Sequence, residues 1–532
     1  LFDLIKDVYS KSCASVGGPD ETTPFPLNRG VRQGCPISPL LFVLFINDIF
    51  DHLRDSGLTI DVPSSTSQPA LSLPGLLFAD DTLLLQDSAD SLQKALDLIN
   101  TWSEIWELPL NPTKCQVLPI GHVGQPPRLL LGETALEVVP SALYLGLRFS
   151  TTLCRREMAR GRVGAGVSRL AQLRPMLVHR LVPLPFKIRM IKAMLIPVLT
   201  YGGEIWGGSG IRCDPVQSIL NRAIHYCVLG KRTNSLLNCT LASRELGLQS
   251  IRAITDGNRA RLYVKYSSRM KSFLHTLLRT PPPRKSRQLP SYSIERQLRD
   301  LLPDQFNNIH TDYCPEPKEL RSQLIEVVMD SQYESVSSTS TSCQRFDGLD
   351  LGHGALLSHF KLAFKDTRLS YPLDWLLRMR LDAVWWPYHL ARFASVPASL
   401  QQSCFACKQI VSHQNYWFHI CCECSALQVP IGKYLSPLAR THQLILPDLA
   451  VELLRGQHAL FREVASWEQV SRFLGAWNRS WNPTVRSIMG HALRSADGSA
   501  SVPPASTSPS SLSTAAGSPA SAVRAAPPVG IG

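Results

Sequence analysis

Leu76-Leu77-Phe78-Ala79-Asp80-Asp81-Thr82-Leu83-Leu84-Leu85 sets two adjacent aspartates between two apolar runs. Short apolar runs around a tight polar break predict a β-hairpin with carboxylates at its tip. Adjacent carboxylates repel one another and are costly beside apolar strands. They persist most naturally where a divalent cation binds them. Phosphoryl transfer to a 3′-hydroxyl can use two such ions ~3.5–4 Å apart, one at the attacking oxygen and one on the triphosphate. A solvent-exposed turn can also carry an isolated Asp-Asp pair, so the surrounding sequence decides between the two.

Upstream lies Arg29-Gly30-Val31-Arg32-Gln33-Gly34-Cys35-Pro36-Ile37-Ser38-Pro39-Leu40-Leu41-Phe42. Two glycines let the backbone pass close to a ligand. Ser38 is a good N-cap, and Pro39 suits the first helical position. The helix is expected to run from Leu40 to about Leu53, apolar on most faces and therefore buried. A loop with a free Arg and Gln that opens onto a helix can meet a nucleic-acid backbone or base pair. An ordinary capped turn gives the same pattern. An amphipathic helix is expected from about Ser91 to Trp106.

The two segments, in this order, resemble the reverse transcriptases of non-LTR (LINE-type) retrotransposons. The resemblance covers residues 1 to about 265 and again 404–424. It implies RNA-directed DNA synthesis from a primer end, with RNA template, DNA primer or target and deoxynucleotide triphosphates as partners, and a nuclear site of action. Asp80 and Asp81 would be catalytic and bind Mg²⁺ (or Mn²⁺). Arg32, Gln33, Gly34 and Ser38 would contact template and nucleotide. Leu110-Asn111-Pro112-Thr113-Lys114 is similar to the next palm motif, whose lysine, here Lys114, would donate a proton to pyrophosphate. Tyr144, Leu145 and Gly146 resemble the primer-grip turn. The stretch from Leu195 to Gly207, containing Thr200-Tyr201-Gly202-Gly203-Glu204-Ile205-Trp206, looks like a segment common after the palm in these elements.

One family feature has no match. These enzymes carry another aspartate on an earlier strand, followed by a Lys-Ala-Phe-Asp pattern. Asp3 is too close to Gln33 and lacks that pattern, so it is read as an ordinary helix or strand residue. The fingers have no counterpart either. Two carboxylates from one hairpin cannot readily hold two Mg²⁺ ions in the shared geometry. The chain is therefore expected to be a carboxy-terminal part of such an enzyme, inactive as it stands. The alternative is a non-catalytic nucleic-acid-binding remnant.

Charge is distributed unevenly. Residues 1–150 hold 9 Lys/Arg against 17 Asp/Glu, whereas residues 151–300 hold 27 against 7, within a net charge of +13. A basic segment beside an acidic one suggests a polyanion along the second and a metal site in the first. Arg155, Arg156, Arg160, Arg162, Arg169, Arg174 and Arg180 fall at roughly helical spacings and resemble a thumb, which grips duplex by its phosphates. No run of 18 or more apolar residues occurs, so a membrane span is not expected. The 14 cysteines are scattered and form no small disulfide framework.

Cys404, Cys407, His419 and Cys424 are the exception. Thiolates and imidazole at such spacings can close a tetrahedral Zn²⁺ site, and the set resembles the CCHC knuckle that follows the polymerase in many of these elements. His413, Cys421 and Cys422 lie near enough to exchange roles with them. Trp417 and Phe418 are expected to pack the site rather than stack on bases.

The expected fold is α+β. Residues 1–150 would form a partial palm and 151–279 a basic helical thumb and post-thumb region. Residues 280–400 would be linker and helical extension, with 280–292 extended and 334–344 a loop. Residues 401–430 would form the CCHC zinc-knuckle-like module, 431–495 a helical region and 496–532 a disordered Ser/Ala/Pro-rich tail.

Overall fold

The computed structural model describes residues 2–10, 12–15, 24–27, 30–62, 71–121, 124–125, 127–230, 237–267, 290–309, 314–337, 370–381, 384, 386, 398–412, 415–455 and 464–497. They divide into two compact units, one within Leu1–Pro119 and Val123–Val139, the other within Ile120–His122 and Pro140–Val502. The first mixes short strand pairs with helices. The second is almost wholly helical.

In the first unit the acidic hairpin forms as expected. Strand Gly75–Phe78 pairs antiparallel with Asp81–Leu84, with Gly75 opposite Leu84 and Phe78 opposite Asp81. Its underside rests on a small core of Ile46, Ile49, Phe50, Leu53, Ala95, Ile99 and Trp102, against which Leu77 and Leu84 pack. Gly75 makes that seating possible. A Cβ there would collide with the Leu83 carbonyl oxygen and lie 2.9 Å from the Phe50 ring. Helix Ala89–Ile105 follows, its start capped by the Ser88 hydroxyl, which accepts from the Ser91 amide at 3.2 Å. The Trp102 indole donates to the Asp48 carboxylate at 3.3 Å, tying this helix to the segment after the upstream motif.

The helix after that motif departs from expectation. It runs Ser38–Ile46, continues as a 3₁₀ turn Asn47–Phe50 and ends in Asp51–Asp55. It is not buried all round: Leu40 is 60% exposed, Val43 50% and Leu44 64%. A helix apolar on every face can bury only the face that meets a neighbour, and the core beneath takes Ile46, Ile49, Phe50, Leu53 and the flank of Phe42.

In the second unit, hairpin Ser141–Tyr144 and Leu147–Ser150 leads into the long helix Arg155–Val178. That helix packs against Gly210–Leu229 and against Ile196–Thr200, and Gly166 allows the close approach of the second, since a Cβ there would strike the Leu199 side chain. A continuous core then runs from Leu170, Trp206 and Leu220 through Leu376, Tyr416 and Cys424 to Trp467 and Trp477. The cysteine-bearing segment is thus built into this core rather than forming a separate module. Helices Ile251–Ser267, Pro290–Leu301 and Pro317–Ser337 share a second core around Leu298 and Leu324.

Three boundary expectations change. Helix Pro290–Leu301 begins inside the expected linker, with proline at its start, where a missing N–H costs nothing. Helix Pro317–Ser337 continues through the start of the expected loop, because Tyr333 and Val336 pack against the main core. Helix Val464–Asp497 reaches just past the expected start of the tail. Residues 280–289, 338–344 and 498–532, and His413, lie outside the described residues. Among the described residues, no helix is long and apolar enough to cross a membrane.

Candidate active site and metal centre

Asp80 and Asp81 sit at the tip of the hairpin, both exposed. The connection is a two-residue turn, Ala79-Asp80, and Ala79 takes the left-handed value φ 51. A residue with a Cβ enters that region at a cost of roughly 1–2 kcal/mol. The packing of Leu77 and Leu84 beneath holds the turn in place, and the two carboxylates project into solvent. Among the described residues neither forms an ion pair, so no cation of the protein's own competes for them. Paired, open carboxylate oxygens are the donor set that a hard divalent ion takes.

Arg32 and Gln33 are exposed at the start of the upstream loop. Gly34 has φ 82 and open space where a Cβ would stand, so its backbone is free to approach a ligand. Ser38 behaves differently from expectation. The N-cap position belongs to Ile37, and the buried Ser38 hydroxyl donates to the Arg32 carbonyl at 2.7 Å and lies 3.0 Å from the Tyr9 hydroxyl. Ser38 therefore fastens the loop from beneath. Tyr9, its partner from helix Phe2–Ser10, was not singled out in the sequence, and Asp3 in the same helix is an exposed residue. Lys114 is exposed at the end of a 3₁₀ turn, Pro112–Lys114, capped by Asn111, whose side chain accepts from the Thr113 amide at 3.0 Å.

The turn Tyr144-Leu145-Gly146-Leu147 belongs to the second unit. Tyr144 pairs with Leu147, and both tip residues have positive φ, 46 at Leu145 and 75 at Gly146. The Tyr201 hydroxyl donates to the Leu145 carbonyl at 2.6 Å, and Arg162 Nη2 donates to the Gly146 carbonyl at 2.6 Å.

The arginines of helix Arg155–Val178 do different jobs. Arg162 holds the turn, Arg169 donates to Gln172 and Arg174 lies over the Tyr226 ring at 5.5 Å. Arg156 and Arg160 are exposed. Arg160 also lines a cleft of 510 Å³ with Arg148, Ser141, Thr152 and Glu157.

Cys404, Cys407, His419 and Cys424 converge, each offering a ligand atom within 4.8 Å of the others. Cys404 Sγ lies 3.9 Å from Cys424 Sγ, and Cys407 Sγ lies 3.2 Å from His419 Nε2. Tetrahedral Zn–S and Zn–N bonds of ~2.0–2.3 Å set their ligands roughly 3.3–3.8 Å apart, which these spacings approach. The bridge Ser403 to Ile410 and the Lys408 amide on the Cys404 carbonyl curl the first pair into a turn, with Lys408 at φ 65. His419 opens a π turn, His419–Glu423, closed by the Cys424 amide on the His419 carbonyl at 2.7 Å. Glu423 Oε2 stands 3.5 Å from His419 Nδ1, an orientation that leaves Nε2 for the cluster. The Cys404 thiol is pulled down to about 5, chiefly by the hydrogen bond from Cys424, whose own thiol is pushed up in turn. A cation set between two thiols so close would displace their protons. Cys421 is fully buried in the core and Cys422 is half-buried; neither joins the set. Trp417 is buried and its indole donates to the Ala450 carbonyl at 2.7 Å, so it packs the site.

Residues 2–149 match the family described as "Reverse transcriptase (RNA-dependent DNA polymerase)". These residues belong to the reverse transcriptase family. The relatives this part of the chain resembles include polymerases of the retrotransposable element R2 and the mobile element jockey, which supports the resemblance to LINE-type reverse transcriptases. The Pol polyprotein of the type-1 retrotransposable element R2 from Popillia japonica is 29% identical over 161 residues, 29% of this chain and 25% of that protein. The RNA-directed DNA polymerase from mobile element jockey of Drosophila melanogaster is 26% identical over 191 residues, 34% of this chain and 20% of that protein. The Pol polyprotein of type-2 element R2DM, also from Drosophila melanogaster, is 30% identical over 166 residues, 28% of this chain and 15% of that protein. The chain thus spans a quarter or less of the length of these relatives.

The sequence marks neither Tyr9 nor Glu423, and it places Arg162 among the thumb arginines and Tyr201 in the post-palm segment without tying either to the turn at Leu145-Gly146. Glu423 stands four residues after His419, a helical neighbour spacing that could have flagged it. Tyr9, Arg162 and Tyr201 meet partners 29, 16 and 56 residues away, and nothing local marks those contacts.

Proposed function

We propose that this chain supplies palm and thumb elements of an RNA-directed DNA polymerase of a non-LTR retrotransposon, acting on an RNA template, a DNA primer end and deoxynucleotide triphosphates in the nucleus. The observation that carries the reading is the strained two-residue turn that holds Asp80 and Asp81 in the open on a hairpin seated on the core by Leu77 and Leu84. When bound, Mg²⁺ or Mn²⁺ would activate the 3′-hydroxyl and neutralise charge on the phosphates. Asp80 and Asp81 would hold it. Arg32 and Gln33 would position template and nucleotide, with Gly34 giving them backbone clearance. Lys114 would give a proton to the leaving pyrophosphate. The Tyr144–Gly146 turn would bear on the primer, and exposed Arg156 and Arg160 would meet phosphates without reading sequence.

Cys404, Cys407, His419 and Cys424 would hold Zn²⁺. Soft thiolates and an imidazole with a carboxylate behind it suit that ion. Their burial supports a bracing role for it within the second unit.

The test is primer extension by the full chain on an RNA template with Mg²⁺, beside Asp80→Asn and Asp81→Asn. Extension that both substitutions abolish supports the polymerase reading and overturns the expectation that the chain is inactive as it stands. Salt-sensitive primer–template binding without extension would leave the binding-only alternative, for which the exposed arginines are sufficient. Absence of both would sink the reading.

A further inference from the structure

The geometry points to Tyr201 and Arg162 as positioning residues for the Leu145-Gly146 turn, locking it before any ligand arrives. This rests on the proposed function, in which that turn meets the primer 3′ end. Leu145 sits at φ 46, a region that L side chains enter only at a cost, and Leu-Gly has no side-chain acceptor to hold it there. Both tip carbonyls are taken instead by side chains from elsewhere in the fold. The Tyr201 hydroxyl holds that of Leu145 and Arg162 holds that of Gly146, each at 2.6 Å. The Arg162 guanidinium also lies 5.4 Å over the Tyr201 ring, so the two clamps support each other.

Glycine at 146 lets the clasp close, because a Cβ there would stand 3.2 Å from Tyr201 Cε1. Tyr201 is itself anchored. The fully buried Trp206 donates its indole N–H to the Tyr201 carbonyl at 3.0 Å, and Arg212 Nη2 secures the Gly207 carbonyl at 2.6 Å. Gly202, at φ 67, admits the Leu147 side chain, whose Cδ2 would lie 2.6 Å from a Cβ there. A line of contacts therefore runs from the core at Trp206 to the hairpin tip. A tip already fixed pays less ordering entropy when it engages a ligand.

The experiment compares the full chain with Tyr201→Phe, which removes only the hydroxyl, and with Arg162→Lys, which keeps the charge but not the planar fork. Affinity is read by anisotropy for a DNA primer recessed on a longer RNA template and for the same duplex blunt-ended. Hydrogen exchange at Gly146 and Leu147 is followed in parallel. Tyr201→Phe is expected to speed that exchange and cut the preference for the recessed end by about fivefold, the worth of one hydrogen bond, with blunt-duplex affinity kept. Arg162→Lys should act in the same direction. If the preference persists in Tyr201→Phe while exchange rises, the clasp is structural only and the inference fails, though the polymerase reading stands. If the unaltered chain has no preference for a recessed end, the primer-end reading itself falls and the inference goes with it.

Discussion

Arg380 and Glu245 form an ion pair with both side chains fully buried, Nη2 to Oε1 at 2.5 Å. The two residues are 135 positions apart and join helix Ser370–Arg380 to helix Cys239–Glu245. Arg380 also donates to the Leu454 carbonyl, so a third helix, Leu446–Arg455, hangs on the same guanidinium.

Removing one member of such a pair strands a charge in the core. Glu245→Ala or Arg380→Ala should each destabilise the chain by about 3–5 kcal/mol. The double replacement Glu245→Leu with Arg380→Met should recover much of that loss, because no charge is left behind. Urea unfolding of the three variants measures this. A double variant less stable than both singles would contradict it.

The proposed zinc site predicts one tightly held metal per chain by elemental analysis. Chelation, or Cys424→Ser, should lower the thermal midpoint of the second unit sharply, since structural zinc in small domains contributes about 10 kcal/mol or more. Cys422→Ser should keep the metal, as Cys422 is outside the converging set. Equal metal loss in both variants would mean a different ligand set.

Asp374 gives a pH signature. Burial pushes its carboxyl up to about 6, against the opposing pull of Arg378 and Lys187. Unfolded, it titrates near ~3.9. Between those values the folded chain keeps a proton that the unfolded chain has released. Stability should therefore fall as pH rises through that window, by on the order of 1–3 kcal/mol, and level off above it. Asp374→Asn should flatten this slope. Unfolding at pH 4.5 and pH 7 compares the two chains, and an identical slope in the variant would assign it elsewhere.

Salt dependence should separate the arginines of helix Arg155–Val178. Arg156→Ala and Arg160→Ala should each weaken primer–template binding uniformly across sequences and reduce the log–log salt slope by about 1. Arg174→Ala should change the slope less, because Arg174 already rests on Tyr226. Titrations at four salt concentrations distinguish these outcomes.

Much of the first unit was legible because its signals are local. Apolar runs around Asp80-Asp81 announce a hairpin, and the spacing of apolar residues from Leu92 to Trp102 announces the helix that braces it. The Cys-x2-Cys and His-x4-Cys spacings named four converging ligands. What failed was non-local. Whether Leu40 and Leu44 are covered depends on what stands opposite them, which composition does not encode. Ser38 looked like a cap because its position fitted one, yet its hydroxyl serves the Arg32 carbonyl six residues back. The Cys/His segment looked like a separate module because its ligands are close in sequence. Phe405 and Tyr416 nevertheless share one core with Trp477.

The π turn His419–Glu423 makes the register of the chain itself a determinant of metal chemistry. In a regular α-helix a residue five positions on lies about 140° round the axis, so Cys424 would face away from His419. The wider turn brings the two back to one side. Forcing an ordinary helix on this segment at its present length would turn Cys424 away and dismantle the cluster, whereas removing one residue would set the cysteine four positions on, about 40° round the axis and again on the histidine's side. Here the count of intervening residues matters as much as their identity, and point substitution alone would not reveal it.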